Sequence, residues 1–381
     1  MAIAGVTGRR LIWPIVLALV AVLLYDTSIK RRNMVDFGVY RVAAGRALGA
    51  EPLYREDDGH YKFKYLPAFA FAMAPFAWLD APTAKALWFG LSVGLLAALL
   101  RWSIWAIPRR RRSPTLLIVL TVVVMAKFYG HELTLGQSNI LLGTVLVAAL
   151  VAIEAGLPLL AAALFGLAVF VKPYAVILLP WVLASCGFAP TLVSAAVVAA
   201  GLLLPALVYG WQGNLDLLAA WWATVTGSTA STLVGGDSVS VAAMWGKWLG
   251  VGTTATALAT LSGLVLLGLA AFVWLRRRAV ETPECLEVAL LMVLIPLLSP
   301  QGWDYVLLLS TPAVALLIDR WSDLTPAWRV LVALSLGVMG LAIYDVLGRE
   351  LYGQFMALSI VSVCALGVVA SLARLRVRSL A

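Results

Sequence analysis

The side chains able to do chemistry gather in short clusters between long apolar runs. The first is Met34-Val35-Asp36-Phe37-Gly38-Val39-Tyr40-Arg41-Val42-Ala43-Ala44-Gly45-Arg46-Ala47. At the 100° per residue of a helix, Asp36, Tyr40, Ala43 and Ala47 share one face with Arg46 on its flank. A carboxylate beside an aromatic ring, over small side chains, can admit a sugar. The same residues also suit a solvated interfacial helix whose Asp36 only favours the positive end of the helix dipole. Next comes Lys62-Phe63-Lys64-Tyr65-Leu66-Pro67, which interleaves cations with rings and suits either a lipid phosphate at headgroup depth or an interfacial anchor. In Tyr129-Gly130-His131-Glu132-Leu133-Thr134-Leu135-Gly136-Gln137-Ser138-Asn139, the acid adjoins His131, and His60 is the other histidine of two, a poor metal set. Gln137 and Asn139 suit sugar hydroxyls or diphosphate oxygens, or else cap a helix. Lys172, in Val171-Lys172-Pro173-Tyr174, either meets an anion or snorkels to the interface. The last cluster, Leu298-Ser299-Pro300-Gln301-Gly302-Trp303-Asp304-Tyr305, offers an acid for an acceptor hydroxyl or a cation, or a simple helix cap.

These clusters must be positioned by membrane helices. Of 381 residues, 62% are hydrophobic and 12% charged, and the mean hydropathy is +0.97. A soluble chain is about half apolar and a quarter charged. A transmembrane barrel would read as alternating segments of about ten residues, a pattern not seen here. Apolar runs predict about twelve crossings, at 11–25, 83–107, 114–129, 139–154, 157–171, 174–186, 190–209, 251–275, 286–299, 303–318, 327–346 and 354–372. The first follows Arg9 and Arg10 like a signal peptide but lacks a small-x-small cleavage site before Asp26, so it is read as a helix. With no repeat and no linker, residues 1–381 form one membrane domain, with outer loops at about 26–82 and 210–250. Amphipathic helices are expected in the first of these loops.

Orientation follows from Arg109 to Arg112, Arg276 to Arg278, and Arg374, Arg376 and Arg378, which share a side if the crossings are twelve. That side is the cytoplasm, so the polar clusters face outward from an inner (plasma) membrane, toward the periplasm or exterior. The bias is weak because Lys30, Arg31, Arg32, Lys62, Lys64 and their neighbours crowd the first outer loop, as if kept for a ligand. The net charge of +9 agrees with contact to anionic membrane lipids. The basic patches are too short for nucleic acid. Cys186, Cys285 and Cys364 have no ligand or disulfide spacing.

Asp36-Phe37-Gly38-Val39-Tyr40 followed by Leu53-Tyr54, Tyr65-Leu66-Pro67, Gly136-Gln137-Ser138-Asn139, Lys172-Pro173 and Ser299-Pro300…Trp303 occur in an order that resembles glycosyltransferase family 87. The resemblance implies the polytopic, all-α GT-C fold. It includes polyprenol-phosphate-mannose-dependent α-1,2-mannosyltransferases of mycobacterial glycolipid assembly. It therefore implies transfer of a hexose, mannose foremost, from a polyprenyl-phosphate donor to a lipid or glycan acceptor. Inversion at the anomeric carbon and no obligatory metal are also implied, and no cofactor is expected. The family's first-loop aspartate, a general base, matches Asp36. The chain departs from the family where a histidine often follows the tryptophan of the Ser-Pro…Trp motif; here that residue is Asp304.

An acceptor hydroxyl attacks an anomeric carbon slowly unless its proton is removed and the departing phosphate is stabilised. A positioned base typically contributes about 10²–10⁴-fold, and a cation on the phosphate adds to this. Asp36 is the expected base, and Lys172, with Arg46, Lys62 and Lys64, the expected phosphate cations. Tyr40, Tyr65, His131, Gln137, Asn139, Trp303 and Asp304 are expected to hold sugar and acceptor. No phosphate-binding or dinucleotide glycine motif occurs. The rival readings are a secondary transporter or lipid flippase, which favours half-chain repeats and broken midplane helices, and a non-catalytic partner in envelope-polysaccharide assembly. The second rival would leave Asp36 dispensable.

Overall fold

The computed structural model describes Val22 and residues 24–378. The expected first crossing at 11–25 therefore lies almost wholly outside the described residues, as do Arg9 and Arg10. The protein is all-helical: among the described residues there is no strand, only an isolated antiparallel bridge between Ser238 and Trp303.

Four helices are long and apolar enough to cross a bilayer: Ala81–Trp105, Pro114–Leu135, Thr253–Leu275 and Ile360–Val377. Two bent pairs raise this to six, Phe188–Leu203 with Ala206–Thr229 at 89° and Pro326–Leu341 with Val346–Ala357 at 115°. Hydropathy predicted about twelve. The two counts differ at the shorter apolar runs. The runs at 139–154, 157–171 and 174–186 do form Asn139–Glu154, Pro158–Val171 and Pro173–Cys186, but at 10–17 residues they are shorter than the roughly 20 a crossing takes. Hydropathy records that a segment is apolar, not whether lipid or protein surrounds it.

The centre of the bundle illustrates the second case. Every residue of the 3₁₀ segment Asp304–Ser310 and of the helix Thr311–Asp319 is buried, as are nearly all of Glu284–Leu298. Segments apolar on all sides belong in an interior. Pro114–Leu135 packs along this centre and against Pro326–Leu341, while Ile360–Arg378 closes on Glu284–Leu298.

Local sequence sets the helix ends. Ser113 and Asp80 accept hydrogen bonds from the backbone N–H of Leu116 (3.3 Å) and Thr83 (3.1 Å), with proline just inside each helix. The stretch 210–250, expected to be a loop, is mostly helix: Ala206–Thr232, broken at Gly210, then Val241–Leu249. The stretch 26–82 carries the helix Val35–Leu48, a 3₁₀ turn Glu56–Asp58, and short helices Pro67–Ala72 and Ala74–Ala77. Val35–Leu48 buries Phe37, Tyr40, Ala43, Ala44 and Ala47. Phe37 stacks on Trp88 with centroids 5.4 Å apart and meets Phe76 edge-on at 5.5 Å. The face of Tyr40, Ala43 and Ala47 thus turns inward, and the helix is docked on the bundle.

Candidate active site

One glycine decides how closely the first-loop helix approaches the bundle. Gly136 ends Pro114–Leu135 in a left-handed conformation, φ 69°. A Cβ there would lie 2.9 Å from the Phe37 Cβ and 3.0 Å from the Met34 Cβ. The turn is pinned from the other side by Trp88, whose Nε1 donates to the Gly136 carbonyl at 2.9 Å. With no side chain in the way, the next residue, Gln137, meets the N-terminal turn of Val35–Leu48.

Gln137 organises the polar centre. Its Nε2 donates to the Asp36 carboxylate at 2.9 Å and faces the Tyr305 hydroxyl at 3.4 Å. Its Oε1 accepts from the hydroxyls of Tyr40 (2.8 Å) and Tyr65 (3.1 Å), which are themselves 2.6 Å apart. Ser138 Oγ donates to the Tyr65 hydroxyl at 3.2 Å. Lys172 stands over the Tyr65 ring, its ammonium 4.7 Å from the centroid, and also acts electrostatically on Asp36. Burial raises the Asp36 pKa above the ordinary carboxylate value, while the Gln137 amide, then Lys172 and His131, oppose that shift by favouring the anion. Burial also lowers the Lys64 pKa, and the neighbouring Lys172 lowers it further; Lys64 in turn feels Asp36. A carboxylate held by one amide, ringed by phenols and faced by two lysines can take up a proton beside a site for an anion.

A second charged centre adjoins the first. Asp304 is wholly buried, with Lys127 Nζ at 3.1 Å and His131 Nδ1 at 3.3 Å. The His131 ring meets the Tyr305 ring edge-on at 5.0 Å, which joins the two centres. Asp304 N–H donates to the Asp237 carbonyl at 2.8 Å, and burial, then the Asp304 charge, push the Asp237 carboxyl upward. Lys127 also lies 5.2 Å from the Tyr352 ring centroid.

Other sequence-predicted residues go elsewhere. Arg46 forms a two-point ion pair with Asp58 at 2.6 and 2.7 Å, and so holds that carboxyl below its ordinary pKa. It sits ten residues beyond Asp36, about 15 Å along the helix, and borders a separate recess of about 290 Å³. Lys62 acts on Asp58 and Lys64. Asn139 is engaged by the buried Glu132, whose carboxylate accepts from the Asn139 amide at 2.9 Å and from the Ile140 N–H at 3.0 Å, and also takes the Asn139 N–H. The Glu132 carboxylate thereby caps the start of Asn139–Glu154. Trp303 packs near Gly235. Among the described residues, no three His, Cys, Asp or Glu side chains are grouped to hold a metal.

A model of glycosyltransferase family 87 matches residues 63–300, more than half of the chain. The chain belongs to glycosyltransferase family 87. It is a membrane glycosyltransferase, and as such it takes a sugar donor and an acceptor. No curated protein and no solved structure matches it. The matched stretch of the transferase includes Lys64, Tyr65, His131, Gln137 and Lys172, whereas Asp36, Trp303 and Asp304 lie on either side of it.

Sequence reasoning passed over Lys127 and Asp237. The signal for Lys127 was present: a lone ammonium within an apolar run costs roughly 2.5–3.5 kcal/mol on an insertion scale, so an acid must meet it. Asp237 and Tyr352 carried no such signal.

Proposed function

We propose that this glycosyltransferase moves a hexose, with mannose as the first candidate, from a polyprenyl-phosphate donor to a hydroxyl of a lipid or glycan acceptor. The outer face of an inner (plasma) membrane is the proposed site. Asp36 acts as general base. It takes the acceptor proton as the new bond from acceptor oxygen to anomeric carbon forms and the bond from that carbon to the phosphate oxygen breaks. The carbon inverts, and the polyprenyl phosphate leaves with the electron pair. Lys172, with Lys64 beside it, receives the growing phosphate charge. The phenols of Tyr40, Tyr65 and Tyr305 and the His131–Asp304–Lys127 group border the sugar and acceptor.

The observation that carries this reading is the Asp36 carboxylate bound to the Gln137 amide within reach of the Lys172 and Lys64 charges. Elevation of its pKa by burial strengthens it as a base, and the amide keeps one oxygen oriented. The test is transfer by the purified protein from a panel of radiolabelled polyprenyl-phosphate sugars to a membrane-lipid extract. Label should pass from one polyprenyl-phosphate sugar into an extractable product; failure with every such donor, under conditions where the protein stays folded, contradicts the donor class.

A further inference from the structure

A cavity of about 360 Å³ lies at the other end of Pro114–Leu135 from Gly136, so about 33 Å of helix separates it from Asp36. Its walls come from the connections that follow Ala81–Trp105 and Thr253–Leu275 and from the last turns of Ile360–Arg378. Three candidate spans end there and a fourth begins, which sets the cavity at headgroup depth.

Its charged lining is four guanidinium groups, Arg109, Arg111, Arg320 and Arg376, with the carboxylates of Glu281 and Asp323. Two of the arginines are fixed by buried partners. Arg376 is 1% exposed and reaches Glu287 at 3.2 Å and the Pro283 carbonyl at 3.0 Å, and Arg320 lies 3.4 Å from the buried Asp319. The rim is different. Arg109 pairs with Glu281 where both side chains are 70% exposed or more, and Arg111 pairs with Asp323 in a partly exposed position. Such pairs contribute little to stability, so the rim guanidinium groups can exchange a carboxylate for another oxyanion, which arginine holds by two parallel hydrogen bonds. Leu286, Leu316 and Leu375 complete the wall with apolar surface.

We propose that this cavity binds the phosphate headgroup of an anionic phospholipid, with the top of an acyl chain against the three leucines. Headgroup depth and the leucines favour a lipid over a free phosphate. Four guanidinium groups in the wall disfavour an ammonium beside them and so favour a lipid without one.

Native mass spectrometry of the purified protein, titrated with phosphatidylglycerol or phosphatidylcholine, tests this. Phosphatidylglycerol is expected to bind at least about tenfold more tightly, and the double variant R109Q/R111Q to lose roughly tenfold of that affinity. R276Q/R278Q, a pair of exposed arginines at the same end but outside the cavity, should leave affinity unchanged. E281Q should bind more tightly, because a competing rim carboxylate is gone. A misfolded variant does not produce that gain, so E281Q decides the matter if R109Q/R111Q proves unstable. Equal binding of the two lipids, equal losses from the two arginine pairs, no gain in E281Q, or displacement by soluble glycerol phosphate at equal concentration would each overturn the proposal.

Discussion

Asp36 is useful as a base only while deprotonated, and its surroundings pull its pKa in opposite directions. Burial raises it; the Gln137 amide and the Lys172 charge bring it back down. Because the balance lies above the ordinary carboxylate value, the base form is lost as pH falls through that raised pKa, and transfer falls with it. The acid limb of the kcat/KM profile should therefore stand above the ordinary aspartate value. Gln137→Met removes an N–H that stabilises the anion, so its acid limb should move to still higher pH. A limb that stays in place in Q137M contradicts the link between Gln137 and the base. Lys172→Met should move the limb the same way and also raise the donor KM; an unaltered donor KM removes Lys172 from the phosphate's binding site. The face of Asp36, Tyr40, Ala43 and Ala47 was legible in the sequence because a helix repeats at a known angle. The amide that orients Asp36 comes from a residue about a hundred positions later, and no local pattern pairs the two.

At the scale of elements, the close approach of Val35–Leu48 to the Gly136 turn controls the site. Gly136→Ala puts a Cβ against Phe37 and Met34 in a backbone conformation that costs an ordinary residue about 1–2 kcal/mol before any clash. G136A should lower the thermal midpoint and reduce transfer; wild-type activity and stability in G136A would show that the docking does not depend on the missing side chain. The Lys127–Asp304 pair has a different signature. Lys127→Met leaves a buried carboxylate with one cation fewer, a loss of about 3–5 kcal/mol for breaking a buried pair. Removing both charges in K127M/D304L should restore much of the stability without restoring transfer. A loss in the double variant equal to the sum of the K127M and D304L losses would instead mean that the two charges do not interact. Gly136-Gln137-Ser138-Asn139 stood out as a motif, yet its glycine works through contacts with a distant helix and its asparagine through the Glu132 cap. The glycine's role is tertiary and the asparagine's partner lies only seven residues back, so spacing alone left capping and sugar binding both open for Asn139.

Across the whole molecule, the helix positions followed from apolar runs, because backbone polar groups taken out of water, into lipid or a protein interior, must be hydrogen-bonded internally. Four to six helices pass as candidate spans by length and composition, against about twelve apolar runs, and Asp304–Asp319 and Glu284–Leu298 are enclosed by other helices. Arg46 shows the same limit for charge: its place on the flank of the Asp36 helix was readable, whereas its commitment to Asp58 depends on how the following 3₁₀ turn folds back. What joins these scales is one carboxyl group carried by a docked helix to a polar centre assembled from the remainder of the chain. The decisive measurement is single-turnover transfer by purified, folded Asp36→Asn with the labelled polyprenyl-phosphate sugar that the wild type uses. The account predicts a rate lower by about 10²–10⁴-fold with donor binding nearly unchanged; transfer at the wild-type rate would contradict it.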